Sequence, residues 1–140
     1  MERKYTDRLS QAKASKICQI INTELYQREA YLQQGLTAKM LAERNGISVQ
    51  DISAVCSEYF GDNFSVLLQR LRVKRACRML CSSEYDRVTC EHIGLRCGFS
   101  NRQSLYNAFR RLRGVTPEQY RQKQINNNEN NHNTDDSGFH

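Results

Sequence analysis

Apolar residues recur at three- and four-residue intervals along most of this chain, the spacing of helices that bury one face. Ile17, Ile20, Ile21, Leu25, Tyr31 and Leu32 share such a face and predict a helix from Ile17 to Gln34, closed by a turn at Gln34-Gly35. Phe64, Leu67, Leu68, Leu71, Met79 and Leu80 predict a long helix from Phe64 to Cys81. From Thr89 to Cys97, Ile93 and Cys97 fall four apart on one side, and Gly94 is small enough for another helix to cross closely. Gly98 ends that helix with the left-handed closure glycine permits. Ser100 reads as the cap of the next helix with Gln103 as its capping-box partner, and Leu105, Ala108, Phe109 and Leu112 form the inward stripe. Gly114 ends it, and Thr116, Pro117 and Gln119 supply cap, first-turn proline and box partner for one more helix.

The same punctuation occurs earlier. Ala42, Gly46, Ile47 and Ser48 precede Gly94, Gly98, Phe99 and Ser100 by one constant offset, and Gly61 matches Gly114 one residue out of step. Two copies at so long a period are a duplicated helix-turn-helix rather than a solenoid. The expected fold is therefore all-α, two helix-turn-helix subdomains joined by a long central helix. Its divisions are a flexible basic arm (1–16), a first unit (17–62), the connecting helix (63–82), a second unit (83–124) and a disordered asparagine-rich tail (125–140). The tail holds too few apolar residues to offset the entropy of ordering it.

Between the inward positions of the second unit's second helix, Asn101, Arg102, Gln103, Ser104, Asn107, Arg110 and Arg111 face outward. Asn, Gln and Arg match the donor and acceptor pattern of adenine and guanine edges, and further arginines match phosphates. Charge supports this. The formal net charge is +6, and because the tail contributes only Glu129, Asp135 and Asp136, the remainder is more basic still. Arg70, Arg72, Lys74, Arg75 and Arg78 lie between Phe64 and Cys81 with no acid among them, so double-stranded DNA is the natural partner for the excess. Should the two second helices lie on one face about 34 Å apart, they would fit successive major grooves. RNA fits less well, since its major groove is too deep and narrow for a helix.

The segment from about Ile20 to Lys123 resembles the DNA-binding domain of the AraC/XylS family of bacterial transcription regulators. The resemblance is carried by the GFSN segment, Phe109, Gly114, TPEQYR, and GDNF followed by Leu68, Arg72, Ala76 and Leu80. It implies about seven helices, activation through contact with RNA polymerase, and, among short stand-alone members with no small-molecule effector domain, DNA binding as a monomer. By motif position it implies base-facing residues Gln50, Asp51, Ser53 and Ala54 in the first unit and Arg102, Gln103, Ser104 and Asn107 in the second. The first unit departs from the pattern: an arginine, then a phenylalanine two residues on, are replaced by Ala54 and Cys56. That helix also carries Asp51 and Glu58. Two roles stay open for it, a weak DNA reader or a surface for another protein, and the second makes an interaction module (anti-activator or co-regulator) the alternative function.

Other chemistry is poorly represented. Cys77, Cys81, Cys90, His92 and Cys97 permit a zinc or redox site on paper, but without a CxxC pair they read as small hydrophobes of a reducing compartment. Phe99 and Phe109 sit at inward positions and read as core anchors, while Tyr106 is open. There is no Gly-rich phosphate loop and no nucleophile with an arranged base, which argues against an enzyme and for no cofactor. The N-terminal residues are polar, with no apolar run approaching the ~20 residues of a membrane span. A cytoplasmic, nucleoid-associated protein is expected.

Overall fold

A computed structural model describes residues 10–138, with side chains as far as residue 130. The fold is all-α, with seven α-helices and no strand among the described residues. In order they are α1 (Gln11–Ile21), α2 (Ala38–Asn45), α3 (Val49–Tyr59), α4 (Phe64–Cys81), α5 (Cys90–Arg96), α6 (Arg102–Arg113) and α7 (Pro117–Gly138). The chain divides into two compact units whose boundary follows Arg72, inside α4. Among the described residues no helix is long and apolar enough to cross a membrane.

In the first unit, Ile17 and Ile21 of α1, Leu41 of α2, Ile52 and Val55 of α3 and Phe64, Leu67 and Leu68 of α4 share one core. The α1 helix begins earlier than the sequence predicts. Ser10 caps it by accepting from the Lys13 amide at 3.1 Å, and Ala14 is buried. Residues 10–16 are therefore not a flexible arm; Ala14 extends the stripe of Ile17 and Ile21 by one turn, a contribution its small side chain conceals. Residues 1–9 lie outside the described part. The single helix predicted to Gln34 is instead broken. After α1 comes a π-helical turn, Asn22–Gln27, then Glu29 at φ +54 and a 3-10 turn, Ala30–Leu32. The left-handed residue redirects the chain, and Tyr31 enters the core with its hydroxyl donating to Glu29 Oε2 at 3.1 Å.

In the second unit, Val73, Ala76 and Leu80 of α4 pack with Ile93 and Cys97 of the α5 segment and with Leu105, Ala108 and Phe109 of α6. The first turns of α7 close this core: the Tyr120 ring meets Phe109 edge-on, centroids 5.4 Å apart. The α7 helix then continues through the segment expected to be disordered, as far as Gly138. No proline or glycine interrupts it after Pro117, so each added residue gains a backbone hydrogen bond on an anchored helix. The composition argument holds in another sense, since residues 125–130 bury no side chain.

Candidate nucleic-acid interface

The second unit supplies the better-formed site. Thr89 caps α5 through a hydrogen bond from the His92 amide (3.1 Å), and Gly98 leaves it at φ +106. A Cβ built on Gly94 would lie 2.6 Å from Leu105 Cδ2, so α5 and α6 cross closely and any side chain at 94 would have to displace the buried Leu105. The cap of α6 is Asn101, whose Oδ1 accepts from the Ser104 amide at 2.8 Å, and not Ser100. In the first unit the cap is Ser48, accepting from the Asp51 amide at 3.0 Å. The second turn is thus one residue longer than the first, which is why Gly61 and Gly114 fall out of step with the earlier pairs. At the far end of α6, Gly114 adopts φ +74, and Thr116 and Gln119 form a reciprocal capping box at the start of α7 (2.9 and 3.1 Å).

With Leu105, Ala108 and Phe109 turned inward, Arg102, Gln103, Ser104, Asn107, Arg110 and Arg111 are all exposed on α6. The structure brings these six together on one helix face, with no acid within α6. Arg113, the other arginine of this last turn, is tied by its Nε to Cys77 Sγ at 3.4 Å. The Arg102 guanidinium lies over the Tyr106 ring, 4.5 Å from its centroid, and the Tyr106 hydroxyl donates to Glu118 on α7. Arg102, Gln103, Tyr106, Arg110, Thr116 and Glu118 line a groove of about 640 Å³.

The first unit presents a different surface. Gln50 and Ser53 are exposed and Ala54 is half-buried, but Asp51 is only 3% exposed and does not face outward. Its carboxylate pairs with Lys13 of α1 at 3.1 Å, so it joins α3 to α1 and is not presented to a base. The exposed side of α3 carries Val49, Glu58 and Tyr59 and no Lys or Arg. A buried glutamate, Glu24, ties the π-helical turn to α2, accepting from Arg28 (3.3 Å) and from Arg44 of α2 (3.2 Å).

Two arginines counted among the basic excess prove to be internal fasteners. Arg72 donates to the Tyr31 carbonyl (2.7 Å) and the Gln33 carbonyl (3.0 Å), pinning the segment ahead of α2; its desolvation lowers its pKa. Arg121 does the same ahead of α5, donating to the Tyr85 and Val88 carbonyls at 3.2 and 2.9 Å. The signal available in the sequence was position: Arg72 stands four residues after the inward Leu68, on the buried side of its helix. Of the cysteines, Cys56, Cys77, Cys90 and Cys97 are buried, Cys18 is half-buried and Cys81 exposed. Burial pushes the Cys56 thiol up to about 11 and the Cys97 thiol up to about 12. Such thiols stay protonated and inert. Among the described residues no group of three or more His, Cys, Asp or Glu side chains is placed to hold a metal ion.

Two helix-turn-helix units, one with a continuous amide- and guanidinium-bearing face, define the class as a double helix-turn-helix protein of the transcription-regulator kind. The helix-turn-helix domain family matches residues 41–123, and the chain belongs to that family. It is 30% identical over 93 residues to the HTH-type transcriptional regulator ArgR of Pseudomonas aeruginosa, covering 66% of this chain and 27% of that protein. It is 32% identical over 81 residues to the HTH-type transcriptional regulator Rv1931c of Mycobacterium tuberculosis, covering 58% of this chain and 30% of that one. The chain thus spans less than a third of either curated relative. Among solved structures, the C-terminal domain of AraT, a response regulator from Geobacillus stearothermophilus, superposes with a TM-score of 0.65 at 28% identity, over 83% of this chain and 88% of that one. An AraC-type DNA-binding domain-containing regulator from Chromobacterium violaceum shares the fold, with a TM-score of 0.61 at 24% identity, over 81% of this chain and 93% of that one.

Proposed function

We propose that this protein is a sequence-specific, double-stranded-DNA-binding transcription regulator whose α6 enters the major groove. The observation that carries the proposal is the exposed face of α6, where Arg102, Gln103, Ser104 and Asn107 match base edges and Arg110 and Arg111 match phosphates. The first unit takes the lesser share of base reading, through Gln50, Ser53 and Ala54. Both recognition helices belong to one chain, so one copy can occupy a site and binding as a monomer is part of the proposal. Activation by recruitment of RNA polymerase completes it; the support is the family resemblance together with a surface on α3 that has no cations to spend on phosphates.

A second reading rests on that same surface. With Val49 and Tyr59 exposed beside Glu58, α3 suits a protein partner better than a polyanion, and a co-regulator or anti-activator would work through it. Selection from random duplexes of about 25 base pairs at near-physiological salt decides between them. Two enriched blocks about one helical turn apart support reading by both units. One block, lost on Arg102→Ala, assigns reading to α6 and leaves α3 to a partner. No enrichment by a folded protein refutes DNA reading and favours the interaction module.

A further inference from the structure

We infer that Tyr106 and Glu118 are positioning residues that hold the Arg102 guanidinium ready to read a guanine, so that base preference at one position depends on two side chains that do not themselves touch the base. The inference rests on the proposal that α6 reads DNA.

Arg102 is the first residue of α6, where a long side chain has little helix around it to restrict its rotamers. Tyr106 lies one turn on, on the same face, and offers its ring to the guanidinium at 4.5 Å. A phenol ring on an exposed helix is itself free to turn. Here it is fixed at its far end, because its hydroxyl donates to the Glu118 carboxylate in the first turn of α7. The chain of contacts from α7 through the ring to Arg102 therefore spans the two helices and ends at the base-reading group. The ring contact steadies the guanidinium without supplying a hydrogen-bond acceptor of its own, and the fork of N–H groups is what pairs with guanine O6 and N7.

The sign of the charge at Glu118 supports the same assignment. The groove it lines contains Arg102, Arg110, Gln103 and Thr116, a set suited to an anionic partner. A carboxylate there repels phosphate, so a role in attracting the backbone is excluded by its charge. Its hydrogen bond to Tyr106 supplies a role that the charge strengthens, since an ionised acceptor binds a hydroxyl more tightly than a neutral one.

The test is sequencing of duplexes selected by the full chain and its variants, each checked for folding by thermal melting. Arg102→Ala is expected to erase preference for guanine at one position, a discrimination of about 10- to 100-fold. Tyr106→Leu removes the stacking surface and is expected to weaken the same preference, at the same position, by about three- to fivefold. Glu118→Ala frees the ring while leaving it in place, and is expected to give a smaller loss there; Glu118→Gln, which still accepts from the hydroxyl but without the charge, is expected to fall between Glu118→Ala and the parent. In the Arg102→Ala background, Tyr106→Leu is expected to change base preference no further, the mark of two residues acting through one. If Tyr106→Leu melts early, Glu118→Ala, at an exposed side chain, carries the test. A uniform loss of affinity with the preference intact would overturn the inference by making Tyr106 a packing residue. A change at a different position on Glu118→Ala or Glu118→Gln would overturn it by making Glu118 a reader. Absence of selection by the parent protein would refute DNA reading itself, a result distinct from either.

Discussion

Replacing Arg72 by methionine separates the fastening use of this chain's positive charge from the phosphate-binding use proposed for it. The guanidinium forms two hydrogen bonds to backbone carbonyls, 2.7 Å to Tyr31 and 3.0 Å to Gln33, that hold the segment leading into α2 against α4. Hydrogen bonds from charged donors contribute about 1.5–3 kcal/mol each, and the half-buried setting of Arg72 lets water replace part of that, so a loss of about 2–3 kcal/mol is expected. Methionine keeps the packing of the stem, which confines the change to the lost bonds. For a unit of this size, such a loss lowers the melting temperature by about 10 °C or more, readable from the helical circular-dichroism signal. The salt dependence of DNA binding should be unchanged, because the guanidinium is committed inward. Arg110→Ala is the converse: melting within about 0.5 kcal/mol of the parent, and a salt slope reduced by about one. Should Arg72→Met melt like the parent and flatten the salt dependence, Arg72 would be a phosphate contact and the reasoning would be wrong.

Three further outcomes follow from particular residues. Asp51→Ala should lower stability by about 1 kcal/mol or less, because the Lys13 ammonium it leaves behind is exposed and rehydrates, and should leave base preference in selection experiments unchanged; a changed preference would restore Asp51 as a reader. Gly114→Ala meets no atom within 4 Å of its Cβ yet must sit at φ +74, so a cost of about 1–2 kcal/mol is expected in urea melts, smaller for Gly114→Asn. A thiol reagent should label Cys81 at once and reach Cys56 and Cys97 only on unfolding. Because burial raises these two thiols, the folded protein keeps protons that the unfolded chain releases. Stability is therefore intact below the ordinary thiol range and falls as pH rises toward about 11 and about 12. Equal urea midpoints at about pH 8 and pH 10.5 would contradict that linkage.

The parts legible in the sequence are those set by local rules. The glycines at 98 and 114, the reciprocal Thr116–Gln119 box and the stripe of Leu105, Ala108 and Phe109 depend on backbone conformation and helical period, which neighbours in the chain specify. The outward positions of α6 follow from the same period, since whatever a buried stripe leaves over is exposed. Local rules failed where two candidates compete: Ser100 and Asn101 are both good caps, and the length of the turn between packed helices selected the second.

By itself, the sequence determined the class of fold, the duplication, and the chemistry of the face that α6 presents. Tertiary structure alone decided which of the charges on the other helices are turned inward. Asp51, Arg72 and Arg121 look like surface residues by type, and each is turned inward because a partner distant in sequence, Lys13 for the first and backbone carbonyls for the other two, offers it a bond there. A charged side chain leaves water only where such a partner offsets the desolvation, and partners distant in sequence become neighbours only when the helices pack.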